Sequence, residues 1–342
     1  MGRSVKYNNL TSPELLEKVN ENNMALGDEF LDYLRSVQRS ETTIEAYRSD
    51  LNIFWVYVLQ NLGNKDFVDI SKRDIVKFQN WCIYENGHSA ARVRRLKACI
   101  SSLSNYVENI LDEDEEFKGF RSIVRKIENP PQETRLEKIV WTDNELQYLL
   151  DTLCEQKKFK QACFVALAMY GGRRKSELTR FRVSDFDDDK LVCDGALYKS
   201  APIRTKGRAN GKYIPCYTLV KKFKPYLDLW MKDREERGIE SEWLFPKDGD
   251  TDNHIEPSTI SSWSQTCSGI LGKPFYPHSL RHYYVSSLSR AGIPENVITQ
   301  IVGWDSAEMC SIYNDNPADD QISRYFKDGD ICAPKDTSLS EL

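Results

Sequence analysis

Apolar residues recur at helical spacing through the first hundred positions of the chain. Phe30, Leu31 and Leu34 open the pattern after a polar, weakly patterned stretch over residues 1–24 that reads as a short flexible arm. Ser40, Glu41, Thr42 and Thr43 then make a polar start for a second helix, with Ile44, Tyr47, Leu51, Phe54 and Val58 as its inward stripe. A third predicted helix runs over about 72–85, placing Ile75, Phe78 and either Trp81 or Cys82 inside. A fourth begins at Ser89 and divides into two faces. Val93, Leu96, Ile100, Leu103 and Val107 are its buried stripe, while Arg92, Arg94, Arg95 and Lys97 crowd its first turns on the other side.

The pattern then lapses. Residues 112–138 are charged, contain Asn129-Pro130-Pro131 and carry no sustained apolar period, so they read as an interdomain linker. Helical spacing resumes behind a capping box of Thr142 and Glu145, with Leu146, Leu149, Leu150 and Leu153 inward. A largely apolar helix over about 159–170 is broken by Gly171-Gly172. Between residues 185 and 217, Leu191, Val192, Ile203, Tyr213 and Ile214 have β-forming character, with turn chemistry between Lys206 and Gly211. Helices are predicted over about 219–237 and 258–271 and again from Pro277. Gly292 and Pro294 separate the last of these from a stripe of Val297, Ile298, Ile301 and Val302. Trp304 follows near the end of that helix, and Tyr313 falls on a short helix from about Ser306. From Ala318, Ile322, Tyr325 and Phe326 again stand at helical spacing, as a helix that docks on a neighbouring protomer or on its own domain. The expected fold is mainly α with a small antiparallel β-sheet.

At 342 residues and 40% hydrophobic, the chain is long enough to bury two cores. It has no run of eighteen apolar residues and no apolar core near its N-terminus, so the expectation is a cytoplasmic protein without a membrane span or secretion signal. Nine cysteines, with no C-x-x-C among them, read as reduced thiols, and the four histidines do not cluster with them. Neither a metal site nor a cofactor is expected. The net charge of −5 superficially argues against nucleic acid, yet the acidity is concentrated in blocks such as residues 112–116 and 187–189. What a phosphate meets is the local field and not the sum.

Candidate chemistry gathers between Pro277 and Tyr313. His278 and Arg281 stand three apart, on one face of a helix, so an imidazole and a guanidinium can reach one phosphate together. An arginine fork matches two phosphate oxygens and stays charged at working pH. A tyrosine hydroxyl titrates near ~10, so Tyr313 needs cations or a base to act as a nucleophile.

H-x-x-R, then Gly303-Trp304, then a tyrosine nine residues on resembles the C-terminal signature of the tyrosine recombinase (phage integrase) family, most like integrases of temperate phages and mobile elements. Upstream, Arg173-Arg174-Lys175-Ser176-Glu177-Leu178 resembles that family's T-G-x-R-x-x-E-L motif. This implies a catalytic Arg174 supported by Glu177, with Gly171 where Thr is common and Arg173 as an adjacent rival. The K-G at Lys206 matches the family's β-hairpin lysine, a general acid toward the leaving 5′-oxygen, with Lys212 as its rival. T-T-I-x-x-Y-x-x-D-L from Thr42 to Leu51 resembles the helical core-binding domain, implying DNA contact by Arg92, Arg95 and Lys97.

The resemblance thus implies a helical core DNA-binding domain over 25–111 and an α+β tyrosine-recombinase catalytic domain over 139–327, on either side of the linker over 112–138, with a polar tail over 328–342 beyond them. It implies strand cleavage and rejoining through a 3′-phosphotyrosyl bond, with Arg174, Lys206, His278, Arg281, Trp304 and Tyr313 as the catalytic set. His is commoner than Trp at the Trp304 position. The implied partners are double-stranded DNA, a homo-tetramer on paired sites, and an excision factor or host DNA-bending protein. The expected function is integration or excision of a mobile element. The alternatives are Xer-like chromosome or plasmid resolution, type IB topoisomerase-like strand relaxation, and a DNA-binding protein that has lost catalysis.

Overall fold

In a computed structural model, the described residues are 10–131, 139–205, 211–304, 306, 308–313, 326–327 and 330–331. They form two compact units, one on either side of residues 132–138. Among them, no helix is long and apolar enough to cross a membrane.

The first unit is helical: α1 (Pro13–Leu16), α2 (Glu21–Ser36), α3 (Glu41–Asn61), α4 (Lys72–Asn80) and α5 (Ala90–Ile110). Structure therefore begins inside the expected flexible arm. The Asn20 side chain accepts from Asn22 N at 2.8 Å to cap α2, and Val19 is buried in the core. Ser40 and Ser89 cap α3 and α5 in the same way. After α4 comes one π-helical turn, Trp81–Glu85, in which Asn86 N reaches back five residues to Trp81 O at 3.1 Å. That wider turn buries both Trp81 and Cys82, between which the sequence could not choose.

Residues 112–131 form no regular element, yet they are not a free linker. Ile123 and Val124 are buried in the helical core, with Phe117 and Phe120 packed against it. Arg94 donates twice to Pro130 O, at 3.0 and 2.8 Å, pinning this segment to α5. The rest of the expected linker lies outside the described residues.

The second unit contains α6 (Asp143–Glu155), α7 (Phe159–Gly171), α8 (Lys175–Leu178), β1 (Leu191–Val192), β2 (Leu197–Lys199), β3 (Ile203–Arg204), β4 (Tyr213–Ile214), β5 (Tyr217–Leu219), α9 (Val220–Glu236), β6 (Pro246–Lys247), β7 (Asp250–His254), α10 (Pro257–Leu271), α11 (Pro277–Arg290), α12 (Glu295–Val302), α13 (Glu308–Tyr313), β8 (Phe326–Lys327) and β9 (Asp330–Ile331). The capping box of Thr142 and Glu145 opens α6 as the sequence predicts. Helix α7 is apolar all round because it is the centre of the unit, packed by α6, α9 and α11. The β content is small and antiparallel: a sheet of order β1-β2-β5 and the hairpins β3-β4, β6-β7 and β8-β9.

Phe326 pairs with Ile331 in the last hairpin, so the helix expected to reach Phe326 gives way to a strand at that residue. The Asp-Gly dipeptide between β8 and β9 is a strong two-residue hairpin signal in the sequence. Ala318, Ile322 and Tyr325 lie outside the described residues.

Candidate active site

The site is built on α11. Tyr284, Val285 and Leu288 of that helix pack with Ile298 and Val302 of α12 and with Cys310 and Tyr313 of α13 into one small core that also holds Trp304. Two hydrogen bonds anchor the front of α11: Trp141 Nε1 donates to Ser279 Oγ at 2.6 Å and the Tyr283 hydroxyl to Asp143 Oδ1 at 2.9 Å. Tyr313 is tied to α11 at both ends. Its carbonyl accepts from Ser286 Oγ at 3.3 Å, and its hydroxyl lies 2.9 Å from His278 Nε2.

The Tyr313 ring is held on two sides. His282 stacks on it at 4.4 Å between centroids and 26° between planes, and Trp304 lies 4.9 Å away, tilted by 42°. His282 is a site residue that the sequence reading passed over. Its signal was present, because it follows His278 by four positions and so shares its helix face. The pKa of His278 is lowered, first by partial loss of water around the ring, then by the positive environment of His282, Arg281 and Arg174, with Glu177 opposing. A lowered pKa keeps the imidazole neutral near pH 7, the form that can accept a proton.

The cations converge through one tight turn. Helix α7 ends at Gly172 with φ +61°, and a Cβ there would stand 2.1 Å from Cδ1 of the buried Tyr284. Only glycine fits both the left-handed backbone and the ring above it. The carbonyl of Gly172 accepts from Arg281 Nη1 at 2.9 Å, and Arg281 Nη2 donates to Val302 O at 3.4 Å. Arg281 is fully buried, and burial first, then the charge of Arg174, brings its pKa down to about 10. It remains protonated at neutral pH. Its guanidinium carbon lies 5.2 Å from the Trp304 ring centroid and 5.6 Å from that of Tyr313.

The neighbours Arg173 and Arg174 differ sharply. Arg173 is buried and donates to Val302 O at 3.2 Å, to Ile301 O at 3.3 Å and to Pro215 O, so its amino groups are taken up by backbone. Arg174 is partly exposed. Glu177 holds it from beneath, accepting from its Nη1 and its backbone N, each at 3.1 Å. Glu177 is itself buried. Arg173, Arg174 and Arg281 thus crowd one region with Glu177 as the carboxylate acting among them, an arrangement short of negative charge.

Trp304 is buried, and its Nε1 has no hydrogen-bond partner among the described residues, an indole donor awaiting an acceptor. It is presented by Gly303, whose φ is +74° and whose missing Cβ would stand 2.0 Å from Ile214 Cδ1 of β4. The β3-β4 hairpin therefore docks on the turn that carries Trp304. Thr205 N donates to Lys212 O at 2.8 Å, closing the hairpin's last described pair. Lys206 lies outside the described residues. Among those described, no group of three or more His, Cys, Asp and Glu side chains has the geometry to hold a metal ion.

A model of the phage integrase family matches residues 140–319, and one of the phage integrase N-terminal SAM-like domain matches residues 26–116. The chain belongs to the phage integrase family. Among relatives of this tyrosine recombinase, the SPbeta prophage-derived recombinase-like protein YomM of Bacillus subtilis is 31% identical over 81% of each chain. A tyrosine recombinase of Thermosipho africanus is 25% identical over 83% of this chain and 92% of the relative. The fold is that of a lambda integrase dimer bound to a core site (TM-score 0.62, 17% identity, 92% of this chain and 83% of that one). It is also that of XerH bound to its palindromic difH substrate (0.63, 17%, 80% and 76%).

The recombinase's helical unit separates the cations grouped by sequence. Arg92 Nη1 and Arg95 Nε donate to the two oxygens of Asp50, at 2.5 and 3.0 Å, and the Arg95 side chain is 55% exposed. Lys97 is different: it is buried, and its ammonium donates to Ile127 O at 2.9 Å and Glu128 O at 2.7 Å. Burial and the neighbouring Arg94 lower its pKa. The expected DNA contact from Lys97 is therefore corrected to an internal staple, and the reason is the 112–131 segment folding over that face of α5.

Proposed function

We propose that the chain is a site-specific DNA recombinase that cleaves and rejoins strands through a 3′-phosphotyrosyl intermediate, with Tyr313 as the nucleophile. The observation that carries this reading is the 2.9 Å contact between the Tyr313 hydroxyl and His278 Nε2, beside Arg174, Arg281 and a Trp304 indole that has no partner among the described residues. His278, neutral near pH 7, takes the phenolic proton as the tyrosine oxygen attacks phosphorus. Arg174 and Arg281 hold the non-bridging oxygens and offset the charge that grows on them, and Trp304 Nε1 donates to one of them. Losing one such donor costs about 10²- to 10³-fold in rate. The bond from phosphorus to the 5′-oxygen breaks, and that oxygen takes a proton from a general acid, the role the family resemblance gives to Lys206. Attack of a 5′-hydroxyl on the phosphotyrosine reverses the step, so no external energy source enters.

The substrate is double-stranded DNA, with Arg92 and Arg95 of the helical unit on its phosphates, and the working form is a tetramer on paired sites. The greater identity to a prophage-derived relative favours movement of a mobile element over Xer-like resolution. The test is covalent trapping on nicked candidate element-end DNA in EDTA, resolved on a denaturing gel. An adduct with wild type and none with Tyr313→Phe is the expected result. An adduct that persists in Tyr313→Phe moves the nucleophile elsewhere, Tyr325 being the nearest rival in sequence. Binding without any adduct overturns the catalytic reading.

A further inference from the structure

The motif T-T-I-x-x-Y-x-x-D-L contains one charged position, Asp50, which the proposed chemistry leaves without a role. Its carboxylate is 4% exposed near the middle of α3, where an unpaired ion would be strongly disfavoured. It is not unpaired. Oδ1 accepts from Arg92 Nη1 at 2.5 Å and Oδ2 from Arg95 Nε at 3.0 Å, both from the first turns of α5. The two arginines differ in what this leaves outside. Arg92 is only 19% exposed at its side chain and is the anchor. Arg95 is 55% exposed, and with Nε on Asp50 its two terminal amino groups have no protein partner among the described residues.

We infer that Asp50 is a positioning residue for DNA binding: it fixes the Arg95 fork so that both amino groups face a backbone phosphate. A guanidinium held by its Nε edge presents a planar, preorganised pair of donors, whereas a free arginine loses rotamer freedom on binding. This rests on the reading that the Arg92 and Arg95 face meets DNA. The sign of the effect separates positioning from simple charge. Removing a negative charge beside a DNA-binding face strengthens binding on Coulombic grounds; removing a positioning carboxylate weakens it.

The test is fluorescence anisotropy of the full chain on a labelled duplex across a salt series. Asp50→Asn is expected to bind about fivefold more weakly, with the slope of log K against log salt smaller by about 1, the signature of one lost phosphate contact. Unchanged or tighter binding overturns the proposal. Arg95→Lys reports even where Asp50→Asn does not fold, because it keeps the charge on a solvent-facing side chain and loses the Nε edge. Affinity falling toward that of Arg95→Ala supports positioning, and wild-type affinity in Arg95→Lys overturns it. Arg95→Ala with wild-type affinity removes the DNA-face reading itself and the proposal with it.

Discussion

Replacing Gly172 by alanine tests how the recombinase's cation cluster is held together. Two penalties add. A non-glycine residue at φ +61° costs about 1–2 kcal/mol, and forcing a methyl into a packed core costs about 1–3 kcal/mol. The added Cβ would stand 2.1, 2.8 and 2.9 Å from three atoms of the Tyr284 ring. That ring is 2% exposed, and its hydroxyl donates to Tyr217 O at 3.1 Å, so it has no room to swing aside. The sum, about 2–5 kcal/mol, corresponds to a fall of about 4–20 °C in the melting temperature of a unit of this size. The chemistry suffers further, because the carbonyl of Gly172 holds Arg281 Nη1 at 2.9 Å. A displacement of about 1 Å at a positioning group costs about 10²-fold. The assay pairs thermal unfolding by circular dichroism with single-turnover cleavage measured well below the variant's midpoint. A destabilised variant that cleaves at the wild-type rate would refute the link between this turn and Arg281, and a shift under about 1 kcal/mol would refute the steric reasoning.

Arg281→Lys keeps a charge but cannot bridge Gly172 O, Val302 O and a phosphate from one ammonium; single-turnover cleavage is expected to fall about 10²- to 10³-fold with DNA affinity nearly unchanged. Because the pKa of His278 is lowered from 6.5, cleavage should rise with pH through a value below 6.5 and level off above it, a limb that His278→Gln removes from the rate profile. The same shift has a stability sign. The folded state binds this proton less readily than the unfolded chain, so the contribution is full above about pH 6.5 and is lost as pH falls toward the folded value, which urea titrations of wild type and His278→Gln compare. Lys97→Met removes two hydrogen bonds from a buried ammonium and should lower stability by about 1.5–3 kcal/mol in urea unfolding. The salt dependence of DNA binding should not change.

The sequence reveals those parts of the site that fixed spacings encode. His278 and Arg281 are related by one helical turn, and Glu177 stands three positions into the helix that Arg174 caps, so local geometry brings each pair together. Glu177-Leu178 at the motif's offset points to Arg174 over Arg173; what the sequence does not show is that Arg173 turns inward onto the carbonyls of Pro215, Ile301 and Val302, all distant in sequence. Lys97 misled for a related reason. Periodicity sorts a helix into two faces but does not report that residues 127 and 128 cover one of them. Phe117, Phe120, Ile123 and Val124 do recur at intervals of three or less, but over too few residues to make a sustained period.

Tyr313 is fastened to α11 twice, its carbonyl to Ser286 and its hydroxyl to His278. The proposed base therefore stands on α11, and the proposed nucleophile, carried by α13, is bonded to that same helix. A small shift of α11 is followed at Tyr313 by two hydrogen bonds, whereas a slide of α11 past α12 changes the reach of Arg281 to Val302 O. Mechanical disturbance of this unit should accordingly mistune the proposed phosphate grip of Arg281 before it separates His278 from Tyr313.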